Sequence, residues 1–308
     1  MNPIIMPAPT NDQATFLREL VSDKKKPDRG KILGISSIAI LSGKGGVGKS
    51  NLAVNLALAF AEKGLRMAVL DADLGLANID ILFGVIPKYN LGHVLRGEKE
   101  LSDIVLNVSE KVFIIPGGAG LRELADLDEQ QQSWVIGRLS VLEDDIDMLL
   151  LDTSAGIHKN VLSFAVASDL TLLVTTPEPT SIRDCYSVLK SLLQSTDGHL
   201  QTALVVNMAS DEEEARAVSK RIVTAAEQFL GHKVSYLGCV LYDTAVREAV
   251  KKRRPLLLDG VDSVSGPCFR TLAERIFALS KNGPKIEKKE AFLRRLTRVL
   301  SKKGTWSL

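Results

Sequence analysis

From Ile32 to about Leu279 the chain alternates between two rhythms of apolar residues. Short, nearly unbroken apolar runs occur at Ser37–Leu41, Met67–Leu70, Val112–Ile115, Met148–Leu151, Leu170–Thr175, Ala203–Val206 and Tyr236–Leu241. They have the length and composition of strands buried on both faces. Between them, apolar residues recur every three to four positions at Ser50–Glu62, Asp128–Glu143, Ser181–Gln194, Asp211–Leu230 and Thr244–Lys251, which predicts amphipathic helices. Such alternation implies a doubly wound α/β fold. Its sheet would be mostly parallel, with right-handed crossovers, helices on both faces, and ligands at the carboxyl ends of the strands.

The two ends follow different patterns. Near the start, Phe16, Leu17, Leu20 and Val21 recur at helical spacing before a hydrophilic run from Lys24 to Gly30, so residues 1–31 predict a short helix on a linker. The single domain occupies 32–280. After Asn282, Gly283 and Pro284, an apolar stripe of Phe292, Leu293, Leu296, Val299 and Leu300 is flanked by Arg294, Arg295, Arg298, Lys302 and Lys303. Residues 281–308 therefore predict a basic amphipathic helix. It suits an anionic membrane surface, with a helix docked on the protein's own surface or binding another protein as the alternative.

Composition narrows the classes. An apolar fraction of 45% and a charged fraction of 25% over 308 residues suit one folded domain with a large core. Cys185, Cys239 and Cys268 are odd in number and lack C-x-x-C spacing, which speaks against a disulfide framework or structural zinc and for a reducing cytoplasm. No signal-like start and no apolar run near ~18 residues predict a secreted or membrane-spanning chain. The formal charge of +2 conceals nine Lys and Arg against two Glu after residue 280, a net of +7, which leaves −5 on the first 280 residues. Direct sequence-specific nucleic-acid binding is therefore not expected.

The first strand runs into Gly43–Lys44–Gly45–Gly46–Val47–Gly48–Lys49–Ser50, and Asn51 opens the helical pattern that follows. This is G-x-x-x-x-G-K-S in its strand–loop–helix context. The glycines let backbone N–H groups curl around phosphate oxygens, the helix N-terminus adds positive potential, Lys49 reaches the β/γ phosphates and Ser50 ligates Mg²⁺. Asp71 and Asp73 end the second strand, and Asp152 ends the run Leu149–Leu151. Carboxylates facing a phosphate loop need a cation between them and the nucleotide.

Lys44 makes the loop K-G-G-V-G-K-S, which resembles the deviant Walker A motif of the MinD/ParA/iron-protein superfamily. That resemblance implies ATP and Mg²⁺ as ligands, slow ATP hydrolysis, and a homodimer in which Lys44 touches the partner's ATP phosphates. Asp71 to Asp80 resembles the family's switch I, D-x-D-x-G-x-x-N-x-D, implying that Asp73 orients the attacking water and Asp71 supports the Mg²⁺ region. Asp152–Thr153–Ser154–Ala155–Gly156 resembles switch II, D-x-P-A-G, with Ser154 where proline is usual. Ser50, Asp73 and Asp152 are the implied metal ligands, and Gly156 belongs to γ-phosphate sensing. Asn207 and Asp243 match positions that contact the base, although either could simply form a turn.

No Cys lies in Thr153–Val166, no C-x-x-C occurs, and no Tyr follows Lys281, which sets aside the nitrogenase-type, scaffold and tyrosine-kinase branches. Asp12–Gln13–Ala14–Thr15–Phe16–Leu17–Arg18 resembles the D-Q-A-x-x-L-R motif of the FlhG/FleN family. Its members are ATP-dependent monomer–dimer switches that regulate flagellar number and placement. The implied partners are a FlhF-like GTPase engaging Asp12–Arg18, a flagellar transcription activator, and an anionic membrane bound by the 285–303 helix, with the protein peripheral on the inner face of the cell membrane. A MinD-like division-site regulator and a ParA-like DNA-partition ATPase remain alternatives.

Overall fold

A computed structural model describes residues 35–73, 78–118, 145–196, 200–282 and 292–301. The D-Q-A motif, Leu74–Ala77 of the switch I stretch, the Asp128–Glu143 helix and both flanks of the tail helix lie outside the described residues. Strands β1 (Ser37–Leu41), β2 (Met67–Ala72), β3 (Leu106–Ser109), β4 (Val112–Pro116), β5 (Met148–Thr153), β6 (Leu170–Thr175), β7 (Thr202–Ala209) and β8 (Ser235–Leu241) form one sheet. Its order is β3-β4-β2-β5-β1-β6-β7-β8.

All seven predicted strands are present and mutually parallel. β3 is an addition, pairing antiparallel with β4 at the sheet's edge. Its residues, Leu106–Asn107–Val108–Ser109, are only partly buried or exposed, so they carry no apolar run to announce a strand.

The helices are α1 (Lys49–Glu62), α2 (Ile79–Phe83), α3 (Leu91–Leu95), α4 (Leu101–Ile104), α5 (Lys159–Ala167), α6 (Pro179–Gln194), α7 (Glu212–Leu230), α8 (Thr244–Lys251), α9 (Leu256–Asp259), α10 (Ser265–Asn282) and α11 (Phe292–Ser301). Local chemistry sets their ends. Pro179, with its fixed φ and missing N–H, opens α6. The Asp211 carboxylate accepts from Glu214 N–H at 2.8 Å to cap α7, and Gly231 ends that helix with φ 62°.

Side chains alternate across the sheet with the period of two expected of strands. Ala39 and Leu41 face the layer built from α5, α6 and α7, whereas Ile38 and Ile40 face the layer of α1, α8 and α10. β1 lies between β5 and β6; the β1-to-β2 crossover runs toward one edge of the sheet and the β5-to-β6 crossover toward the other, which opens a crevice at their carboxyl ends.

The tail helix α11 packs on the α5 side of the domain. Phe292, Leu296 and Leu300 are buried in the core cluster shared with α5. Full burial of three such side chains contributes roughly 5–9 kcal/mol before ordering entropy is subtracted. Arg295 fixes the register: Nε donates to Ala167 O at 2.7 Å, Nη2 to Ser37 Oγ at 3.0 Å, and Nη1 lies 2.7 Å from Asp169 Oδ1. Asp169 Oδ2 in turn accepts from Ser36 N at 2.8 Å and Ser37 N at 3.0 Å. The stripe that suited a membrane is thus buried against the protein's own domain. No described helix is long and apolar enough to cross a membrane.

Candidate nucleotide site

The loop Ser42–Gly48 joins β1 to α1 at the crevice, and two of its glycines are dictated by space. A β-carbon at Gly43 would stand 2.3 Å from the backbone of Asp184 on α6. One at Gly48 would stand 2.4 Å from Asn207 Nδ2, and Gly48 itself sits at φ 89° as the N-cap of α1. Gly45 and Gly46 are exposed at the tip, Val47 is buried beneath it, and Ser50 and the partly buried Asn51 fall in the first turn of α1. That turn carries no acidic residue, so its free N–H groups and dipole remain available to an anion.

The two lysines of the loop point to different places. Lys49 is buried, and its Nζ donates to Ser42 Oγ at 2.7 Å. Burial pushes its pKa down, an effect opposed by the carboxylates of Asp152 and Asp73. Lys44 lies outside the cradle: its ammonium pairs with Glu178, which precedes α6, and reaches Thr180 Oγ1 at 3.3 Å.

Facing the loop, Asp71 and Asp152 are register partners on β2 and β5. Burial raises the Asp152 pKa to about 7, with Asp71 and Asp73 pushing the same way while a Ser50 hydrogen bond and Lys49 oppose it. Asp152 Oδ1 is buried with no hydrogen-bond partner among the described residues. Asp71 is raised chiefly by burial, tempered by the N–H groups of Ile79, Asn78 and Asp73. Its carboxylate accepts from Asp73 N at 3.2 Å, Asn78 N at 2.9 Å and Ile79 N at 3.1 Å, pinning both sides of the switch I loop. Asp152, with one orphaned buried oxygen and Ser50 beside it, offers oxygen donors of the kind a hard divalent cation takes, to be completed by phosphate and water oxygens. Gly156 joins the assembly by donating its N–H to Ser42 O at 2.9 Å.

Two base-site expectations take particular forms. Asn207, two residues before the end of β7, donates Nδ2–H to Val47 O at 2.7 Å, bracing the phosphate loop itself. Asp243 caps α8 through Ala245 N at 2.8 Å and holds Ser265 through its N–H and hydroxyl at 3.1 and 2.9 Å, so both carboxylate oxygens serve the framework. Ser42, Glu178 and Thr180 were not among the expected site residues. Glu178–Pro179 at the end of an apolar run was the available signal, a helix start at a strand's carboxyl end.

The family model for the CobQ/CobB/MinD/ParA nucleotide binding domain matches residues 38–256. The chain belongs to the MinD/ParA family. It is therefore a P-loop ATPase, as the loop and the parallel sheet imply. Among MinD/ParA relatives, the antiactivator FleN of Pseudomonas aeruginosa is 38% identical over 247 residues, covering 80% of this chain and 88% of FleN. The flagellum site-determining protein YlxH of Helicobacter pylori is 32% identical over 303 residues, covering 94% and 99%. Among solved structures, the septum site-determining protein MinD of Pyrococcus horikoshii, complexed with Mg-ADP, superposes with a TM-score of 0.64 at 26% identity, covering 82% of this chain and 99% of that one. The resemblance to FlhG/FleN drawn from the motifs agrees with these relatives.

Proposed function

We propose that this MinD/ParA-family ATPase regulates flagellar number and placement by cycling between a nucleotide-free monomer and an ATP-bound homodimer. The similarity to FleN and YlxH supports the flagellar assignment. The observation that carries the switch is Lys44, held by Glu178 and Thr180 of its own chain instead of facing its own phosphate cradle. A short stem rotation would free it to reach phosphates across a symmetric interface, as the superseding partner for a charge that Glu178 now satisfies.

Within the cradle, Lys49 and the N–H groups of Gly45 to Ser50 hold the phosphates, and Asn51 continues that turn. Ser50, Asp73 and Asp152 would hold Mg²⁺, which supplies charge neutralisation on phosphate oxygens. Asp73 orients the water for attack, while Asp71 keeps the switch I backbone in place and Gly156 stands near the γ-phosphate. Asn207 and Asp243 are assigned to the base side of the site by family resemblance, although here their polar groups brace the loop and the start of α8. Turnover is slow, since the reaction serves as a timer.

The tail binds anionic lipid through 285–303, each nearby Lys or Arg contributing ~1 kcal/mol, and two tails per dimer raise weak binding by avidity. Lipid binding requires α11 to leave its place on α5, because the same stripe cannot be buried twice. Asp12–Arg18 engages a FlhF-like GTPase, and a flagellar transcription activator is the second protein partner. Size exclusion and sedimentation with phosphatidylglycerol vesicles, using ATP, ADP and Lys44→Ala on the full chain and on a chain ending before Lys285, test the cycle. ATP-dependent dimers that require Lys44, and vesicle binding that requires the tail, are expected. Identical behaviour in all nucleotide states would refute it.

A further inference from the structure

At the end of α8, the fold keeps a cation where the backbone disfavours any side chain. α8 ends in a Schellman-type turn: Arg253 N–H donates to Val250 O at 2.9 Å, and Arg254 N–H reaches back to Ala249 O at 3.1 Å. The residue that turns the chain is Arg253, at φ 53°. Corresponding left-handed ends after α2, α7 and α9 are made by Gly84, Gly231 and Gly260. Glycine adopts that conformation freely, whereas a β-carbon is crowded by the following carbonyl. An observed outlier of this kind is grounds for seeking a function in the side chain it preserves.

The surroundings suggest one. Residues 247–254 hold five basic side chains against the single Glu248, in a body that is otherwise net acidic. Lys251 pairs with Glu248 and Lys252 with Asp259, but among the described residues neither exposed Arg253 nor exposed Arg254 has a carboxylate partner. Gly84 packs directly on this turn, since a β-carbon there would stand 3.0 Å from Arg253 O. Two residues further along, Ile86 is 89% exposed. The result is an exposed isoleucine two residues from the glycine that abuts Arg253, on a turn whose two arginines have no carboxylate partner among the described residues.

We propose that Ile86, Arg253 and Arg254 form a docking surface for an acidic protein segment carrying an apolar anchor. Guanidinium forks match carboxylates, and the isoleucine gives an apolar side chain of the partner something to cover. A nucleic-acid backbone would leave Ile86 without a role. A membrane is disfavoured by position, because this surface belongs to the α1 and α10 layer while α11 lies in the other. The inference is independent of the flagellar reading and of Lys44.

The test uses the full chain and a short fluorescein-labelled peptide of Glu with Leu at helical spacing. A Gln-for-Glu version, duplex DNA and phosphatidylglycerol vesicles serve as rivals. The acidic peptide should bind in a salt-sensitive way, Arg253→Glu with Arg254→Glu should weaken it by about tenfold or more, and Ile86→Ser should weaken it by a smaller factor. Arg253→Gly is the sharpest variant: it should melt no lower than the parent, ATP hydrolysis should be unchanged, and peptide binding should fall. Equal binding of the Gln version, unchanged affinity in the charge-reversed protein, or tighter binding of DNA or vesicles through the same residues would each overturn the proposal. So would a lower melting temperature for Arg253→Gly, which would assign the arginine to the fold.

Discussion

The two ends of β1 solve opposite problems with similar residues. At its amino end, exposed Ser36 and buried Ser37 donate to Asp169 Oδ2, while Asp169 Oδ1 makes no hydrogen bond of its own but lies 2.7 Å from the Arg295 guanidinium, so the charge of each is met by the other. At its carboxyl end, Lys49, Asp71 and Asp152 are buried too, yet Asp152 retains an oxygen with no partner and Lys49 is strained by desolvation. The first arrangement stabilises a contact within the chain. The second leaves Asp152 Oδ1 with neither a hydrogen bond nor an ion pair among the described residues, a demand that the proposed nucleotide and cation would meet. What separates the two clusters is whether a buried carboxylate's charge is met by a cation of its own chain.

Breaking the satisfied end should have the largest effect on stability. Asp169→Ala leaves the largely buried Arg295 guanidinium and the Ser37 N–H without their acceptor, so chemical denaturation should show a loss of about 3–5 kcal/mol and release of α11. A loss under about 1 kcal/mol would mean that water replaces the carboxylate. At the unsatisfied end, Lys49→Met should do the reverse: hydrolysis should drop by about 100-fold or more, while the nucleotide-free protein melts at the same or a higher temperature because a buried charge is gone.

A pH titration separates the ends more finely. Burial keeps Asp152 protonated up to about 7 against an ordinary 3.8, so between those values the folded protein holds a proton that the unfolded chain has released. Stability of the metal-free protein should fall as pH rises through that window, by up to about 1.4 kcal/mol per unit, and change no further above it. Asp152→Asn should flatten the slope. The smallest effect is expected from an exposed pair: Arg270 bridges Glu62 at 2.7 Å with both side chains well exposed, and Arg270→Ala should cost less than about 1 kcal/mol.

Much of this was visible along the chain. The seven parallel strands announced themselves because strands buried on both faces need continuous apolar runs, and the phosphate loop did so because its glycines, lysine and serine are consecutive. β3 stayed hidden because an edge strand with one face in solvent needs no such run. Glu178 and Thr180 stayed hidden because they lie more than 130 residues from Lys44, and nothing in their own neighbourhood names it as a partner. Asn207 was picked out as a residue at a strand's end, but its bond to the Val47 carbonyl depends on how β7 and the loop meet.

By itself the sequence determined the alternation of strands and helices, the composition of the phosphate loop, and the presence of a basic helix with one apolar side. Those properties are local: they follow from side-chain period and from residues a few bonds apart. Only the tertiary structure decided that the helix lies on α5 with Arg295 against Asp169, and that Lys44 turns toward Glu178. Apolar attraction has no direction, so a stripe fixes which side of a helix seeks cover and leaves the cover itself to be chosen by shape and charge brought together from distant parts of the chain.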